Sequence, residues 1–532
     1  MSEVQAPPAF PARRLAWSTA IFSAATGLSR VLGLVREIVA RRFFGVEGAG
    51  INAFTVAFQV PNLVRALVAD AALSSAFVPV FSELLEKGER ARAWRVASSL
   101  IWILLLGLSA VTALFILAAP WIMSLFGYGS GETGDLATTL SRILFPIVVL
   151  LGVFGIVVGI LNSYDHFTIP ALTPVFWNVA IIIGLVIGVP RADSAEAELY
   201  VYAGAIVVGT VIQLLLPLPW LRGLDGRLRL AIDWRDPAVK RVFVLMLPVA
   251  LGLGLINVNA LIGTFFAARY IDRTIAPSAI DAAFRIYMLP QGMFSVAVAT
   301  VLFPALARLA ARADDDGFRR TVGMGLRQIA FLLIPASVVS AVLAEPIVRL
   351  LYERGEFGPH ETDVVAAALA AFSLGLVFNG AMLMLNRAFF SLQAPWLPTW
   401  VALGNLVLNT VLFAAFYRLG TWGIPLAISL ANVAGTGALL YLLRRRFGRI
   451  EGAETARSAL LVTIASAVLG IVAFAVWWVL DDALGRSFAG QLVSLSAALA
   501  AGGAAYLFSC RLLGVRELKA LLSLRARSRP AG

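Results

Sequence analysis

The sequence is poor in the residues that carry metal, redox and nucleotide chemistry. It contains one cysteine, Cys510, and two histidines, His166 and His360. A single cysteine excludes an intramolecular disulfide and a thiolate-bound metal, and two histidines do not make a histidine-rich metal centre. The chain also lacks the GxxxxGK(S/T), HExxH and GxSxG motifs, which argues against an ATPase and, less strongly, against a hydrolase or transferase. We therefore expect neither an enzyme nor a metal or cofactor requirement.

Charged residues are scarce as well. They make up 14% of the 532 residues, whereas 60% are hydrophobic. A soluble domain is only about 45–50% apolar. Apolar segments of about 20 residues, the length of a membrane-spanning helix, recur from end to end, and they predict an all-α polytopic membrane protein. The net charge of +12 is explained by cationic loops on one side of the membrane, so nucleic acid is not an expected partner.

The apolar segments predict 14 transmembrane helices. Their approximate ranges are 15–44, 52–86, 94–119, 138–162, 169–189, 199–221, 241–268, 280–311, 322–344, 363–388, 396–417, 422–443, 457–480 and 490–513. Arginines and lysines concentrate in the N-terminal leader, in the loops after spans two, six, eight and twelve, and in the C-terminal tail, whereas the loops at 128–135, 191–198 and 481–485 are acidic or poor in cations. The positive-inside rule then predicts that both termini are cytoplasmic.

An internal repeat relates the two halves of the predicted bundle. The segment LN at 161–162, followed by Pro174, matches LN at 385–386, followed by Pro398. FVP at 77–79 matches LFP at 302–304 at nearly the same offset along the chain. An even number of spans separates the matched points, so the two halves run in the same direction. This predicts a parallel pseudo-two-fold repeat with its axis along the membrane normal, which is a transporter design.

The predicted organisation is two six-helix lobes with an appended helix pair. The ranges are 1–222 for the N-terminal lobe with spans 1–6, 223–240 for a cytoplasmic connector, 241–446 for the C-terminal lobe with spans 7–12, and 447–532 for spans 13–14 and a cytoplasmic tail. The connector contains WRDP among arginines, which is typical of a short amphipathic segment on the membrane surface.

The most distinctive stretch is SRVLGLVRE at 29–37, inside the first predicted span. Ser29, Gly33 and Arg36 share one stripe of the helix, and Arg30 and Glu37 share the neighbouring stripe. A charge near the bilayer centre costs about 2.5–3.5 kcal/mol on insertion scales. These side chains are therefore expected to face protein or a water-filled cavity.

Two further arginines lie near predicted helix breaks. Arg65 follows a proline in span two, and Arg285 precedes one in span eight. With Arg30 and Arg36 they would cost roughly 10–14 kcal/mol in lipid, which is comparable to the whole stability of a protein. We predict that the four arginines line one central polar cavity. Because guanidinium groups bind phosphate oxygens bidentately and stay charged, a diphosphate is the expected ligand.

The other polar residues leave alternatives open. Glu37 and Asp70 are either ion-pair partners of the arginines or gating or proton-linked groups. Asn405 and Asn409 share one face of span eleven, where they could bind a cation or substrate, although hydrogen bonding between helices is the favoured interpretation. Arg41 and the arginine after it are expected to extend to the membrane interface.

Five stretches of the sequence carry a family resemblance. They are SRVLGLVREIVARRFFG at 29–45, NAFTVAFQVPNLVRALVADAALSSAFVPVF at 52–81, FRIYMLPQGMFSVAVATVLFPALARL at 284–309, LYERGEF at 351–357 and LNRAFFSLQAPWLPT at 385–399. Together they extend over nearly the whole chain. They resemble the MurJ (MviN) lipid II flippases of the multidrug/oligosaccharidyl-lipid/polysaccharide exporter superfamily.

The resemblance implies a function and a set of site residues. It implies that lipid II, the undecaprenyl-diphosphate-linked peptidoglycan precursor, moves from the cytoplasmic to the outer leaflet of the bacterial inner membrane by alternating access. The diphosphate would bind Ser29, Arg30, Arg36, Arg65 and Arg285, and the polyprenyl tail would lie in a groove formed by spans 13 and 14. Membrane phospholipid and proteins of cell-wall synthesis and division are expected partners.

Coupling and substrate are less constrained by the resemblance. Coupling to Na+ or H+ is left open, although Gly263 stands where a sodium-binding member would carry an acid, which argues against sodium.

Two alternative functions remain. One is a flippase for another polyprenyl-linked glycan or for drugs, although a basic cavity argues against cationic drugs. The other is a non-transporting cell-wall scaffold, against which the four arginines argue.

Overall fold

The computed structural model describes residues 12–68, 71–448 and 452–518, and these residues form helices without a β-strand. The helices are α1 (Ala12–Phe44), α2 (Ala49–Val68), α3 (Ala71–Glu86), α4 (Arg90–Leu125), α5 (Glu132–Leu144), α6 (Ile147–Ser163), α7 (Thr168–Ile183), α8 (Ala195–Leu215), α9 (Pro237–Phe266), α10 (Ala276–Pro290), α11 (Val296–Ala311), α12 (Asp315–Val342), α13 (Ala344–Tyr352), α14 (Pro359–Ser373), α15 (Leu376–Ser391), α16 (Trp396–Phe416), α17 (Gly423–Phe447), α18 (Gly452–Leu484) and α19 (Phe488–Leu512). Short π-helical or 3-10 turns follow several of them.

The helices confirm the prediction of an all-α, multi-pass membrane protein. Within the described ranges, 11 helical segments are long and apolar enough to cross a membrane, or 12 when the bent pair α14–α15 counts as one span. The first two predicted spans fall on α1 and on α2 with α3, which are not among those segments. Asp70, one of the predicted gating or ion-pair residues, lies outside the described residues.

Several of the predicted spans change direction or helix type, and two of them illustrate how. After Pro290, which has no N–H to donate, the chain continues as the π-helix Gln291–Ser295. The predicted span 363–388 is bent by 44° between α14 and α15. At this bend Gly375 lies so close to α17 that a β-carbon on it would be 2.6 Å from the Ser429 Cα. The bend therefore depends on a neighbour that is distant in sequence.

The described residues form two compact units. Unit 1 comprises the chain up to Phe44 and Ala49–Leu261, and unit 2 comprises Gly45–Gly48 and the chain from Ile262 onward. In unit 1, α2 packs on α5, α3 on α6, α4 on both α5 and α6, and α7 on α8. In unit 2, α10 packs on α14, α11 on α15, α12 on both α14 and α15, and α16 on α17. The two units thus pack their helices in the same order.

The last two helices, α18 and α19, pack on each other and on α12 of unit 2. Small residues allow the close approach, because a β-carbon on Gly502 would lie 2.9 Å from the Ala473 Cβ and 3.1 Å from the Leu469 carbonyl oxygen. The Tyr506 hydroxyl donates a hydrogen bond of 2.6 Å to the Phe331 carbonyl of α12. The pair is therefore an integral part of unit 2.

Ion pairs hold this helix pair near both ends of α18. The side chain of Arg349, on the short helix α13, is only 3% exposed, binds Asp481 and lies 5.6 Å over the Trp477 ring. Near the other end, Arg327 Nε of α12 lies 3.4 Å from a carboxylate oxygen of Glu517. Sequence reasoning placed a loop where α13 lies, since a helix of 9 residues is too short to give an apolar span.

Adjacent glycines of α19 provide a test of this packing. Gly502→Ala should lower the unfolding free energy by about 1–3 kcal/mol, because the added methyl group has no room against α18. Gly503→Ala is the matched control, since no heavy atom lies within 4 Å of its β-carbon position. Thermal melts of both variants in the same detergent check the expectation, and equal melting temperatures would contradict the described contact.

Candidate functional site

The charged stretch of α1 places Arg36 inside unit 1. Its side chain is 13% exposed, and one of its terminal nitrogens is 3.7 Å from the carboxylate of Glu37. The guanidinium carbon lies 4.7 Å from the centroid of the Trp177 ring of α7, which is a cation–π contact. The buried Nε atom of Arg36 has no hydrogen-bond partner among the described residues. A buried guanidinium with an unused donor is suited to binding an anion.

Glu37 is the centre of a buried ion pair. Its carboxylate accepts two hydrogen bonds from Arg41, at 3.1 and 2.8 Å, and the two side chains are 7% and 6% exposed. The prediction that Arg41 extends to the membrane interface is therefore wrong. The i, i+4 spacing lets the two side chains meet on one face of the helix, and both are buried. The next residue, Arg42, is exposed, as the sequence predicts.

Helix α7 positions the start of the charged stretch. The Asn178 side-chain amide donates to the Ser29 carbonyl at 3.3 Å and to the Pro174 carbonyl at 2.9 Å. Gly33 lies beside this contact, with its β-carbon position 3.9 Å from Asn178 Oδ1. Arg30, one residue further, is exposed. Sequence reasoning missed Asn178, although an asparagine inside an apolar span was a visible signal.

Arg65 of α2 is held by its own helix. Its Nε and one terminal nitrogen donate to Oδ1 of Asn62, at 3.1 and 2.8 Å. The side chain is partly buried. Asn62 is a positioning residue that sequence reasoning did not single out, and the i, i+3 spacing was the available signal.

Arg285 is the predicted site residue of unit 2. It lies on α10 and donates to the Asp281 carboxylate one turn earlier, at 3.3 and 3.4 Å, with its side chain 39% exposed. Further along α10, the buried Tyr287 hydroxyl accepts a hydrogen bond of 2.8 Å from the Asn379 amide of α15. Gln291, at the π-helical turn, donates to Asn379 at 3.2 Å. Arg285 thus lies two residues before a polar network that joins α10 to α15.

The two predicted asparagines of α16 have different surroundings. The Asn405 amide nitrogen lies 3.9 Å from the Met382 sulfur, and its side chain packs against Gly435 of α17. Asn409 is buried, and its Oδ1 has no hydrogen-bond partner in the described part of the chain. The contact of Asn405 is between helices, as the favoured interpretation predicts, whereas Asn409 retains an unused acceptor.

These features define a class of protein. The chain is a multi-pass helical membrane protein with two similarly packed units, and it carries arginines within its helices. That combination is characteristic of a membrane transporter rather than an enzyme.

Comparisons with known proteins identify the family. A sequence model of the family described as lipid II flippase MurJ matches residues 41–497. A probable lipid II flippase MurJ of Vibrio cholerae is 33% identical over 96% of this chain and 98% of its own length. The lipid II flippase MurJ of Burkholderia cenocepacia is 31% identical, over 79% of this chain and 82% of its own length. The chain belongs to the lipid II flippase MurJ family.

Solved structures agree with that assignment. A lipid II flippase MurJ in an inward closed conformation matches with a TM-score of 0.76 and 25% identity, covering 93% of this chain and 98% of the other. An inward-facing multidrug resistance transporter of the MATE family, in the MOP superfamily, matches with a TM-score of 0.68 and 18% identity over 81% of this chain and 99% of its own. The second likeness is one of fold alone.

Proposed function

We propose that this protein is a lipid II flippase, which moves the precursor from the cytoplasmic to the outer leaflet by alternating access. The observation that carries the proposal is Arg36, whose side chain is 13% exposed and whose buried Nε donor has no partner among the described residues. Family membership supports lipid II as the cargo. The diphosphate of lipid II is the part that a guanidinium binds best.

The diphosphate ligands are proposed on charge and chemistry. In unit 1 we assign Ser29, Arg30, Arg36 and Arg65 to diphosphate binding, and in unit 2 we assign Arg285. Arginine is suited to this role because its planar fork contacts two phosphate oxygens and does not lose its proton. The pairing of Glu37 with Arg41 favours a structural role for Glu37 over a gating role.

The architecture proposed for transport has 14 spans in two six-helix lobes and an appended pair, within the bacterial inner membrane. The same packing order in both units supports a parallel repeat. The cation-rich loops support cytoplasmic termini. Exposed apolar side chains on α18 and α19, among them Ile471 and Phe508, support contact of that pair with the polyprenyl tail.

Energy coupling and partners belong to the same proposal. An inward-negative potential is worth about 2.3 kcal/mol per charge per 100 mV and opposes the return of an anionic lipid. Coupling to Na+, if used, would involve the unpartnered Oδ1 of Asn409, and Gly263 supplies no carboxylate. Proteins of cell-wall synthesis and division would accept the exported precursor.

Depletion of the protein tests the function directly. Labelled lipid II should accumulate in the cytoplasmic leaflet of depleted cells, because the polar sugar-peptide headgroup does not cross the bilayer unaided. Re-expression of the wild type should move the label to the outer leaflet, as measured by access of a membrane-impermeant enzyme or quencher.

Two outcomes would contradict the proposal. If the label reached the outer leaflet at the normal rate without the protein, the protein would not be the lipid II flippase. Accumulation of a different polyprenyl-linked glycan, with lipid II unaffected, would instead support the alternative cargo.

A further inference from the structure

The chain between α8 and α9 contains an ordered segment that lies along α4 of unit 1. We call residues 225–236 the strap. The backbone N–H of Arg229 donates to Ser98 Oγ and that of Asp233 donates to Ser99 Oγ, each at 3.0 Å. The Trp102 indole N–H donates to the Arg229 carbonyl at 3.1 Å. Because both serines are buried, these bonds fix the strap backbone against the helix.

The acidic side chains of the strap are used in holding it. Asp225 pairs with Arg90 at 2.9 Å, and Asp236 accepts hydrogen bonds of 3.3 and 3.2 Å from Arg92. Burial alone would raise the pKa of Asp236, but the hydrogen bonds from Arg92 and from the Ala238 N–H outweigh it, so the pKa lies below its ordinary value. The Asp225 and Asp236 carboxylates are therefore directed toward α4 and the strap backbone.

The side chains left on the outer face are apolar or cationic. Every second residue is a large exposed apolar one, with exposed fractions of 37% for Leu228, 84% for Leu230, 54% for Ile232 and 62% for Trp234. Arginines at 227, 229 and 235 are exposed beside them. The Arg235 guanidinium lies 5.1 Å from the centroid of the Trp234 ring. Such a row in water would be an aggregation hazard, so a partner is expected to cover it.

The position of the strap on α4 indicates what that partner is. The strap contacts residues 90–102 of α4, and that helix carries no charged residue after Arg95. The strap thus lies where the helix passes from its cationic end into its apolar span. Tryptophan and arginine are the residues that favour this depth, at the headgroups of the cationic side of the membrane.

We propose that the strap is a lipid-binding element that seats on the anionic phospholipid headgroups of the surrounding leaflet. Leu230, Ile232 and Trp234 enter the headgroup–acyl boundary, and the neighbouring arginines pair with lipid phosphates. Apolar insertion and cationic pairing act together in surface-bound segments. The inference concerns the bilayer in which the protein is embedded, and it does not depend on the cargo that the protein carries.

The immersion of a spin label at position 230 tests the proposal. The full-length Leu230→Cys variant is labelled directly, because the native Cys510 is buried, and it is placed in nanodiscs of phosphatidylcholine with or without phosphatidylglycerol. The label should be relaxed by oxygen and protected from a water-soluble nickel chelate, and more so with phosphatidylglycerol. Asp316→Cys is the control, since that side chain is 71% exposed on the first turn of α12, and it should show the reverse preference.

The arginines are tested in the same labelled protein. Changing Arg227, Arg229 and Arg235 together to glutamine should abolish the extra immersion that phosphatidylglycerol gives, while the melting temperature stays that of the parent. A label at 230 as accessible to nickel as the label at 316, in both lipid mixtures, would overturn the proposal. A label shielded from oxygen and nickel alike would overturn it too, because a protein surface would then cover the strap.

Discussion

Replacing Arg36 with alanine is expected to abolish complementation in cells that depend on this protein. Loss of one partner of a buried charge-assisted contact costs about 2–5 kcal/mol, which is roughly 30-fold to several-thousand-fold in affinity. Lipid II binding to the purified variant should fall accordingly. Arg36→Lys should give an intermediate affinity, because it keeps the charge but loses the planar fork of donors.

The chain offers a matched control for this result. Arg42 lies on the same helix and is exposed, so Arg42→Ala removes the same charge without removing a buried donor. It should bind lipid II and complement like the wild type. Because Glu37 keeps its hydrogen bonds from Arg41, loss of Arg36 leaves no unpaired carboxylate to unfold the helix. Normal binding and growth with Arg36→Ala would show that the proposed diphosphate ligand is wrong.

The second large effect is expected for stability and concerns Glu37. Glu37→Gln should lower the unfolding free energy by about 3–5 kcal/mol, because it removes the carboxylate from a buried arginine. The double variant Glu37→Gln/Arg41→Gln should recover much of the loss, since it removes the buried charge as well. Thermal melts in detergent, followed by circular dichroism, measure both.

A surface carboxylate supplies the comparison. Glu83 also pairs with two cations, Lys87 and Arg241, each at 2.6 Å, but all three side chains are more than a third exposed. Glu83→Gln should melt like the wild type. If Glu37→Gln also melts like the wild type but no longer transports lipid II, the structural interpretation fails and a gating or proton-linked role is supported.

Composition and periodicity predicted the fold class, because the length and apolarity of a membrane helix are local properties. Eleven or twelve apolar segments lie where spans were predicted. The bend between α14 and α15 was not predictable in this way, since it depends on the contact of Gly375 with Ser429. The short helix α13 was missed for a related reason, because its formation depends on burying one face against neighbouring helices.

The candidate site was predictable only in part. The cost of arginines in an apolar helix singled out Arg36 and Arg65 without any structure. The partners that hold them, Trp177 of α7 and Asn62 of α2, required knowledge of which helices meet and which rotamers they allow. Arg41 was misjudged because it lies near a helix end in the sequence, whereas in the structure its side chain is buried and bound to Glu37.

The attachment of α18 and α19 has a consequence for how the protein can be dissected. Arg349 and Arg327 are paired with carboxylates that belong to, or follow, this helix pair. A truncation before residue 452 would remove Asp481, Glu517 and the Tyr506 hydroxyl, which are partners of Arg349, Arg327 and the Phe331 carbonyl. Such a deletion would lose folding along with any prenyl-chain contact, so point changes on the outer faces of the two helices are the informative way to separate those roles.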